Sequence, residues 1–275
     1  MTAPRTFRER RNACLVEPGS KADLAHRSTD DRLGTDKVRA QSELASLTER
    51  LCLLQQRLYA EHQRAVLFVL QGLDASGKDG TIRRVFTGLN PQGCDVTSFK
   101  APAPNELAYD YLWRIHQNLP ARGDIGVFNR SHYEDVVTAR VIGAIDDHRR
   151  ESRYREIVAF EQMLREEGTW IVKIFLNVGK DVQRARLQAR LDNPEKRWKF
   201  QLSDLETRKR WDEYMHLYEA AITATSTKEA PWFVVPADHK WAAGLAATSI
   251  LLYALEEIDP KLPPPAADLD GIVIE

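Results

Sequence analysis

Gly72-Leu73-Asp74-Ala75-Ser76-Gly77-Lys78 has the G-x4-G-K spacing of a loop that cradles phosphates. Glycines let such a loop fold tightly, so that several backbone N–H groups point inward. A helix beginning near Gly77 adds the positive end of its dipole, and Lys78 adds a full charge. Two carboxylates depart from the usual pattern. Asp79 follows Lys78, where a nucleoside-triphosphate loop uses a Ser or Thr hydroxyl to hold magnesium. Asp74 lies inside the loop. A bare carboxylate beside phosphates is repulsive unless a cation bridges it or it handles the acceptor group. The chemistry indicated is phosphoryl transfer, with a donor that need not be ATP. A ligand-free strand-to-helix turn fits the same spacing. The preceding apolar run Ala65–Leu70 and the helix-compatible stretch TIRRVFTGL favour phosphate.

A second set of charges lies further along. Between Gln183 and Phe200 stand Arg184, Arg186, Arg190, Lys196, Arg197 and Lys199, opposed only by Asp192 and Glu195. Arg186 and Arg190 are four apart and share a helix face. Charge clusters are usually solvated helix faces. This one is one-signed in a chain whose formal net charge is -1. It also follows the fourth strand, where P-loop enzymes carry a mobile lid. So many cations suit more negative charge than one nucleotide brings, and closure would exclude water.

The elements that must hold these residues can be read from periodicity. Residues 1–36 are polar and weakly periodic, and read as an extended arm wrapping its own domain or a neighbouring subunit. Residues 37–62 read as a long amphipathic helix, with Leu44, Leu47, Leu51, Leu54 and Leu58 at helical spacing. Apolar runs predict five strands: Ala65–Leu70, Val96–Phe99, Gly126–Phe128, Trp170–Val178 and Pro231–Val235. Helices are expected from Asn105 through Ile115, from Tyr133, over 150–168, over two charged stretches within 180–218, and over Trp241–Ile258. Strands alternating with helices imply a parallel sheet covered on both faces. The expected organisation is one P-loop domain over 37–258, with a helical lid at about 181–215 and a proline-rich tail over 259–275. Asn129-Arg130-Ser131 then falls just past a strand end, where open α/β sheets bind ligands.

The bulk numbers exclude several classes. The 275 residues suit one large domain, and an apolar content of 43% supports a sizeable core. A near-zero net charge gives no global field for nucleic acid. Cys14, Cys52 and Cys94 are scattered and odd in number, which fits a reducing compartment without disulfide or zinc. The N-terminal stretch has no apolar signal core and no apolar run reaches ~18 residues, so no membrane span and a cytoplasmic location are expected.

Together the motifs resemble the family-2 polyphosphate kinases. Four blocks carry the resemblance: Gly72 through Gly80; Asn90-Pro91-Gln92-Gly93; Val127-Phe128-Asn129-Arg130-Ser131-His132-Tyr133-Glu134-Asp135; and Arg190-Leu191-Asp192-Asn193-Pro194 through Trp198-Lys199-Phe200. Trp232–Asp238 and Lys240-Trp241 add a fifth. The Phe-Asn-Arg-Ser form is similar to the subgroup that phosphorylates both nucleoside mono- and diphosphates; subgroups with Asp in place of Asn129 are narrower. The resemblance implies an α/β three-layer, thymidylate-kinase-like P-loop kinase fold with a parallel five-stranded sheet. It implies reversible transfer of the terminal phosphoryl of inorganic polyphosphate to ADP or AMP, with magnesium or, in its stead, manganese. Partners would be polyphosphate, AMP, ADP, ATP and guanine nucleotides, but neither nucleic acid nor membrane. A homo-oligomer, dimer or tetramer, follows by the same analogy.

By position, the resemblance gives Asp74, Lys78, Asn129 and Arg130 the catalytic roles. Lys78 would hold phosphates at the transfer point, and Asp74 would orient the acceptor. Arg130 would neutralise charge in the transition state. Metal would fall to Asp74 and Asn129. Polyphosphate would lie along Ser76, Gly77, Lys78, Asp79, Gly80, Arg130, Arg186, Arg190 and Lys199. Asp74, Asn129 and Glu134 would face the nucleotide. His132, Tyr133, Trp198 and Trp241 read as packing residues rather than a base or stacking partners. Two competitors stand beside this reading: an ATP-dependent nucleotide kinase of the thymidylate-kinase type, against which Asp79 speaks, and a nucleic-acid-binding module, against which the net charge speaks.

Overall fold

The computed structural model describes residues 5–265 and Ile274. Helix α1 (Phe7–Cys14) opens the chain on a capping box, in which the Thr6 hydroxyl accepts from the Glu9 amide. Strand β1 (Leu15–Val16) follows. Helix α2 (Lys37–Glu61) is capped by Asp36, whose carboxylate accepts from the amides of Val38 and Arg39. Next come β2 (Ala65–Gln71), α3 (Lys78–Phe86), β3 (Cys94–Ser98), α4 (Trp113–His116) and β4 (Ile125–Asn129). The second half runs α5 (Thr138–Val141), α6 (Asp147–Glu166), β5 (Thr169–Asn177), α7 (Lys180–Asp192), α8 (Leu202–Lys209), α9 (Trp211–Thr225), β6 (Trp232–Pro236) and α10 (Lys240–Ile258).

Six strands form one sheet in the order β1-β6-β5-β2-β4-β3. All neighbours are parallel except β1 with β6. All seven residues of β2 are buried, which is why its first six read as an unbroken apolar run. It is central, pairing β4 on one side and β5 on the other. Chain connections diverge from it in opposite directions, and ligand sites in such sheets lie at the carboxyl ends of the strands. The register sets Leu70 beside Asn129 and Ile174, so β2 and β4 deliver their loops side by side.

Several expectations need correction. The sheet has a sixth strand, β1, supplied by the segment expected to be an extended arm. That segment is instead a helix, a strand and ordered turns laid on its own domain. Buried Arg10 pairs with Glu43 of α2 at 2.5 Å, and Arg27 donates to the carbonyls of Cys14, Leu15 and Ala22. The helix expected from Asn105 is a short 3-10 turn (Glu106–Ala108) and then α4. The helix expected from Tyr133 is a 3-10 turn (His132–Asp135) followed by α5. Trp198 does not pack: it is 76% exposed, with the Lys199 ammonium 5.0 Å from its ring centroid. Residues 260–265 have no regular structure, and nearly all the rest of the expected tail lies outside the described residues. Among the described residues one helix, α10, is long and apolar enough to cross a membrane by length and composition; 78% of that stretch is buried inside the fold, where it packs on α1, α2 and α3.

Candidate active site

The loop between β2 and α3 is shaped by close approach. A Cβ on Gly72 would meet the Ser76 hydroxyl at 2.8 Å and the Leu176 carbonyl at 3.1 Å. Gly77, at φ 113°, enters α3 in the left-handed region that glycine adopts freely. Ala75 takes a positive φ of 60° without that freedom, strain of the kind folds retain at ligand clamps. The first amides of α3 have no acceptor within the helix, and the buried Ser76 hydroxyl makes no hydrogen bond. Lys78 is the first residue of α3 and is buried. Its ammonium donates to the carbonyls of Gly72 (2.6 Å) and Leu73 (3.2 Å). Burial, and then the neighbouring Arg130, pull its pKa from the ordinary 10.5 down to about 8.

At the end of β4 the chain supplies the facing wall. The Arg130 amide donates to the Leu70 carbonyl at 3.0 Å, tying this wall to β2. Arg130 has φ 64°, again left-handed in a residue that is not glycine. That turn sends its guanidinium to two carboxylates: one Nη binds Asp74, and the other binds Glu134 at 3.2 Å. Glu134 chiefly, against burial, and then Asp74 push its pKa above the ordinary arginine range. Glu134 is held in turn by the Thr138 hydroxyl (2.7 Å) and by Gln71, whose amide nitrogen donates to it at 2.9 Å while its oxygen accepts from the Ser131 amide. Asn129 donates to Asp79 Oδ1 at 3.0 Å, and Lys199 of the lid reaches Asp79 Oδ2 at 3.2 Å. Against the upward push of burial, these two donors hold the Asp79 carboxyl below its usual range.

The segment expected to be a lid comprises α7, a 3-10 turn (Arg197–Lys199) and α8. Its two helix-face arginines diverge. Arg190 lies 3.8 Å from the buried carboxylate of Asp204, and faces the site with it. Arg186 meets backbone carbonyls. Its guanidinium donates to the carbonyls of Ala75 and Ser76 (3.1 and 2.8 Å), and of Ala237 and Asp238 (2.7 and 2.9 Å). It ties the phosphate loop to the β6–α10 turn. The Asp238 carboxylate completes that junction by accepting from the Gly179 amide (2.7 Å) and from the Thr29 hydroxyl (2.6 Å).

Three contributors were not picked out from the sequence. Gln183, fully buried on α7, donates to the Asp74 carbonyl at 3.0 Å. Lys240 and Arg84 converge with the lid: burial first, and then Arg186, Arg84, Lys196 and Arg190, depress the Lys240 pKa. Cations gathered in this way favour an anionic ligand. Arg84 could have been found four residues after Gly80, on the loop's own helix. Lys240 and Gln183 come from remote elements and carried no local signal.

The donor set also bears on metal. Among the described residues no group of three or more His, Cys, Asp or Glu could enclose an ion. Asp74 offers one carboxylate oxygen beyond its contact with Arg130, and Asn129 offers its side-chain carbonyl. One or two hard oxygens fit magnesium, which keeps several waters and completes its shell with substrate phosphates.

Residues 34–263 match the family model for polyphosphate kinase 2. The chain belongs to that family. Among polyphosphate kinase 2 relatives, the AMP/ADP-polyphosphate phosphotransferase of Meiothermus ruber is 50% identical over 262 residues, covering 94% of this chain and 98% of that protein. The ADP-polyphosphate phosphotransferase of Rhodopseudomonas palustris is 44% identical over 264 residues, 90% of each chain. The crystal structure of Polyphosphate Kinase 2 from Arthrobacter aurescens TC1 superposes with a TM-score of 0.92 at 40% identity, covering 98% of this chain and 96% of that one. The polyphosphate kinase 2 fold thus sets Asp74, Lys78, Asp79, Asn129, Arg130, Glu134 and Lys199 around one strand-end cleft, with Arg190 at its lid. Arg186 joins the phosphate loop to the β6–α10 turn.

Proposed function

We propose that this polyphosphate kinase 2 moves the terminal phosphoryl group of inorganic polyphosphate onto ADP or AMP, reversibly. The observation that carries the reading is the cationic excess around the phosphate loop. Lys78 lies in the loop, Lys199 reaches Asp79 and Arg84 the Gly80 carbonyl on its helix, and Lys240 is crowded by Arg186, Arg84, Lys196 and Arg190, more charge than one nucleotide matches. An acceptor phosphate oxygen attacks the terminal phosphorus, the anhydride bond breaks, and the shortened chain leaves. Lys78 and the loop amides hold the terminal phosphates in line. Arg130 sits where charge accumulates on the transferring group. Asp74 orients both Arg130 and the acceptor, and Glu134 faces the nucleotide side. An acceptor phosphate is largely ionised at neutral pH, so orientation matters more than proton removal. Asp74 and Asn129 would hold magnesium, which when bound would supply further positive charge against the phosphates. Guanine nucleotides as further acceptors, assembly as a dimer or tetramer and a cytoplasmic location belong to the same proposal.

The test is to supply polyphosphate, magnesium and either ADP or AMP, and to follow ATP and ADP formation. Absence of product, with efficient transfer from ATP to dTMP, would hand the chain to the thymidylate-kinase reading. The pH profile adds a sign. Lys78 in the donor-free enzyme loses its charge as pH rises through about 8. A bound polyanion favours the charged form. The kcat/KM for polyphosphate therefore declines above about pH 8, and Lys78→Arg moves that decline to higher pH.

A further inference from the structure

Asp79 is the residue the transfer chemistry above leaves unexplained. A carboxylate at the second position of α3 sits where a donor phosphate would be welcomed by the helix dipole, and it repels that phosphate. Yet it is not turned away. It joins three elements: its own helix, Asn129 at the end of β4 (3.0 Å), and Lys199 on the lid turn (3.2 Å). Both partners are polar groups of the cleft. The ion pair is open to solvent, its side chains 66% and 39% exposed. Exposed pairs of this kind are weak, and a multiply charged chain of phosphates displaces a single carboxylate from a lysine.

We propose that Asp79 is a positioning residue of the donor site: its carboxylate stands in for a phosphate at Lys199 and Asn129, keeps the lid turn over the loop, and yields both partners when polyphosphate arrives. The inference rests on polyphosphate being the donor. Lys199 then need not be ordered from solvent at each binding event, at the cost of an internal competitor for the same cation. A hydroxyl at this position would hold neither partner by charge.

A double-mutant cycle tests this. Asp79→Asn, Lys199→Gln and the double variant are compared with the parent by intrinsic tryptophan fluorescence, titrating a polyphosphate of defined length without nucleotide. Steady-state KM and kcat with ADP are measured alongside. Asp79→Asn tightens polyphosphate binding by about two- to five-fold, as the loss of a weak competing pair predicts, and lowers kcat as the lid turn loses its tether. In the Lys199→Gln background the same substitution has less than half that effect on the logarithm of the dissociation constant. Unchanged or weaker binding in Asp79→Asn overturns the inference, since Asp79 would then bind the donor itself. An equal gain in both backgrounds also overturns it, leaving only direct repulsion. If the parent enzyme makes no ATP from polyphosphate, the donor reading fails; if it does and the cycle is additive, only the role of Asp79 fails.

Discussion

Arg130→Ala lowers kcat for polyphosphate-driven ATP synthesis by about 10³-fold or more, with a much smaller change in KM for polyphosphate. The guanidinium is held by Asp74 on one side and Glu134 on the other, and its backbone sits at φ 64° to present it there. A cation fixed before the reaction needs no reorganisation when charge develops on the transferring group, and arginines so placed are worth orders of magnitude. Lys78 and the loop remain to bind the donor, so the loss falls on turnover. Arg130→Lys does not restore the rate, because an ammonium cannot reach both carboxylates with the planar fork the site uses. Initial rates of ATP formation at saturating ADP, over a polyphosphate titration, check the split. A loss of less than ten-fold would reduce Arg130 to a tie between Asp74 and Glu134.

Lys173→Met costs about 3–5 kcal/mol of stability, because removing one partner of a buried pair strands the other. Lys173 lies in the middle of β5 with no exposure. Its ammonium meets Glu161 of α6 at 2.5 Å, the Tyr133 hydroxyl at 3.0 Å and the Thr225 carbonyl at 2.7 Å. Tyr133 donates to Glu161 at 2.9 Å, His132 lies 3.4 Å from the same carboxylate, and the Trp232 indole donates to Thr225. Burial, and only then Glu161, governs Lys173, whose pKa is lowered. Urea unfolding gives the free energy directly. Lys173→Met with Glu161→Leu recovers part of the loss, since no unpaired charge is then left inside. A single variant as stable as the parent would mean that water reaches this network.

Much of the cleft was legible because its signals are local. The G-x4-G-K spacing, the apolar run Ala65–Leu70 and the polar run after β4 each stand within a few residues of the chemistry they serve. What was missed depends on partners far away in sequence. β1 is two residues long, too short to show any period, and exists only because β6 offers it an edge. Leu107, Tyr111, Leu112 and Ile115 keep helical spacing, but the Asp110 carboxylate takes the Leu112 amide at 2.9 Å, and Tyr109 is extended at φ -118° and ψ 176°. A side chain that captures backbone in this way competes with helix. Arg186 and Arg190 were read as a pair because a charge pattern reports the cations and not what they meet. Carbonyls absorb one and a carboxylate attracts the other.

The junction at Asp238 bears on how the protein is trimmed. A version beginning at residue 34, where the family match starts, would keep every residue of the cleft and yet lose Thr29 from the Asp238 carboxylate. It would also uncover the backbone of Trp232 and Phe233, leaving a bare sheet margin that invites other molecules to stack edge to edge. Soluble preparations therefore depend on retaining the leader, whose absence would show first as precipitation rather than as lost chemistry.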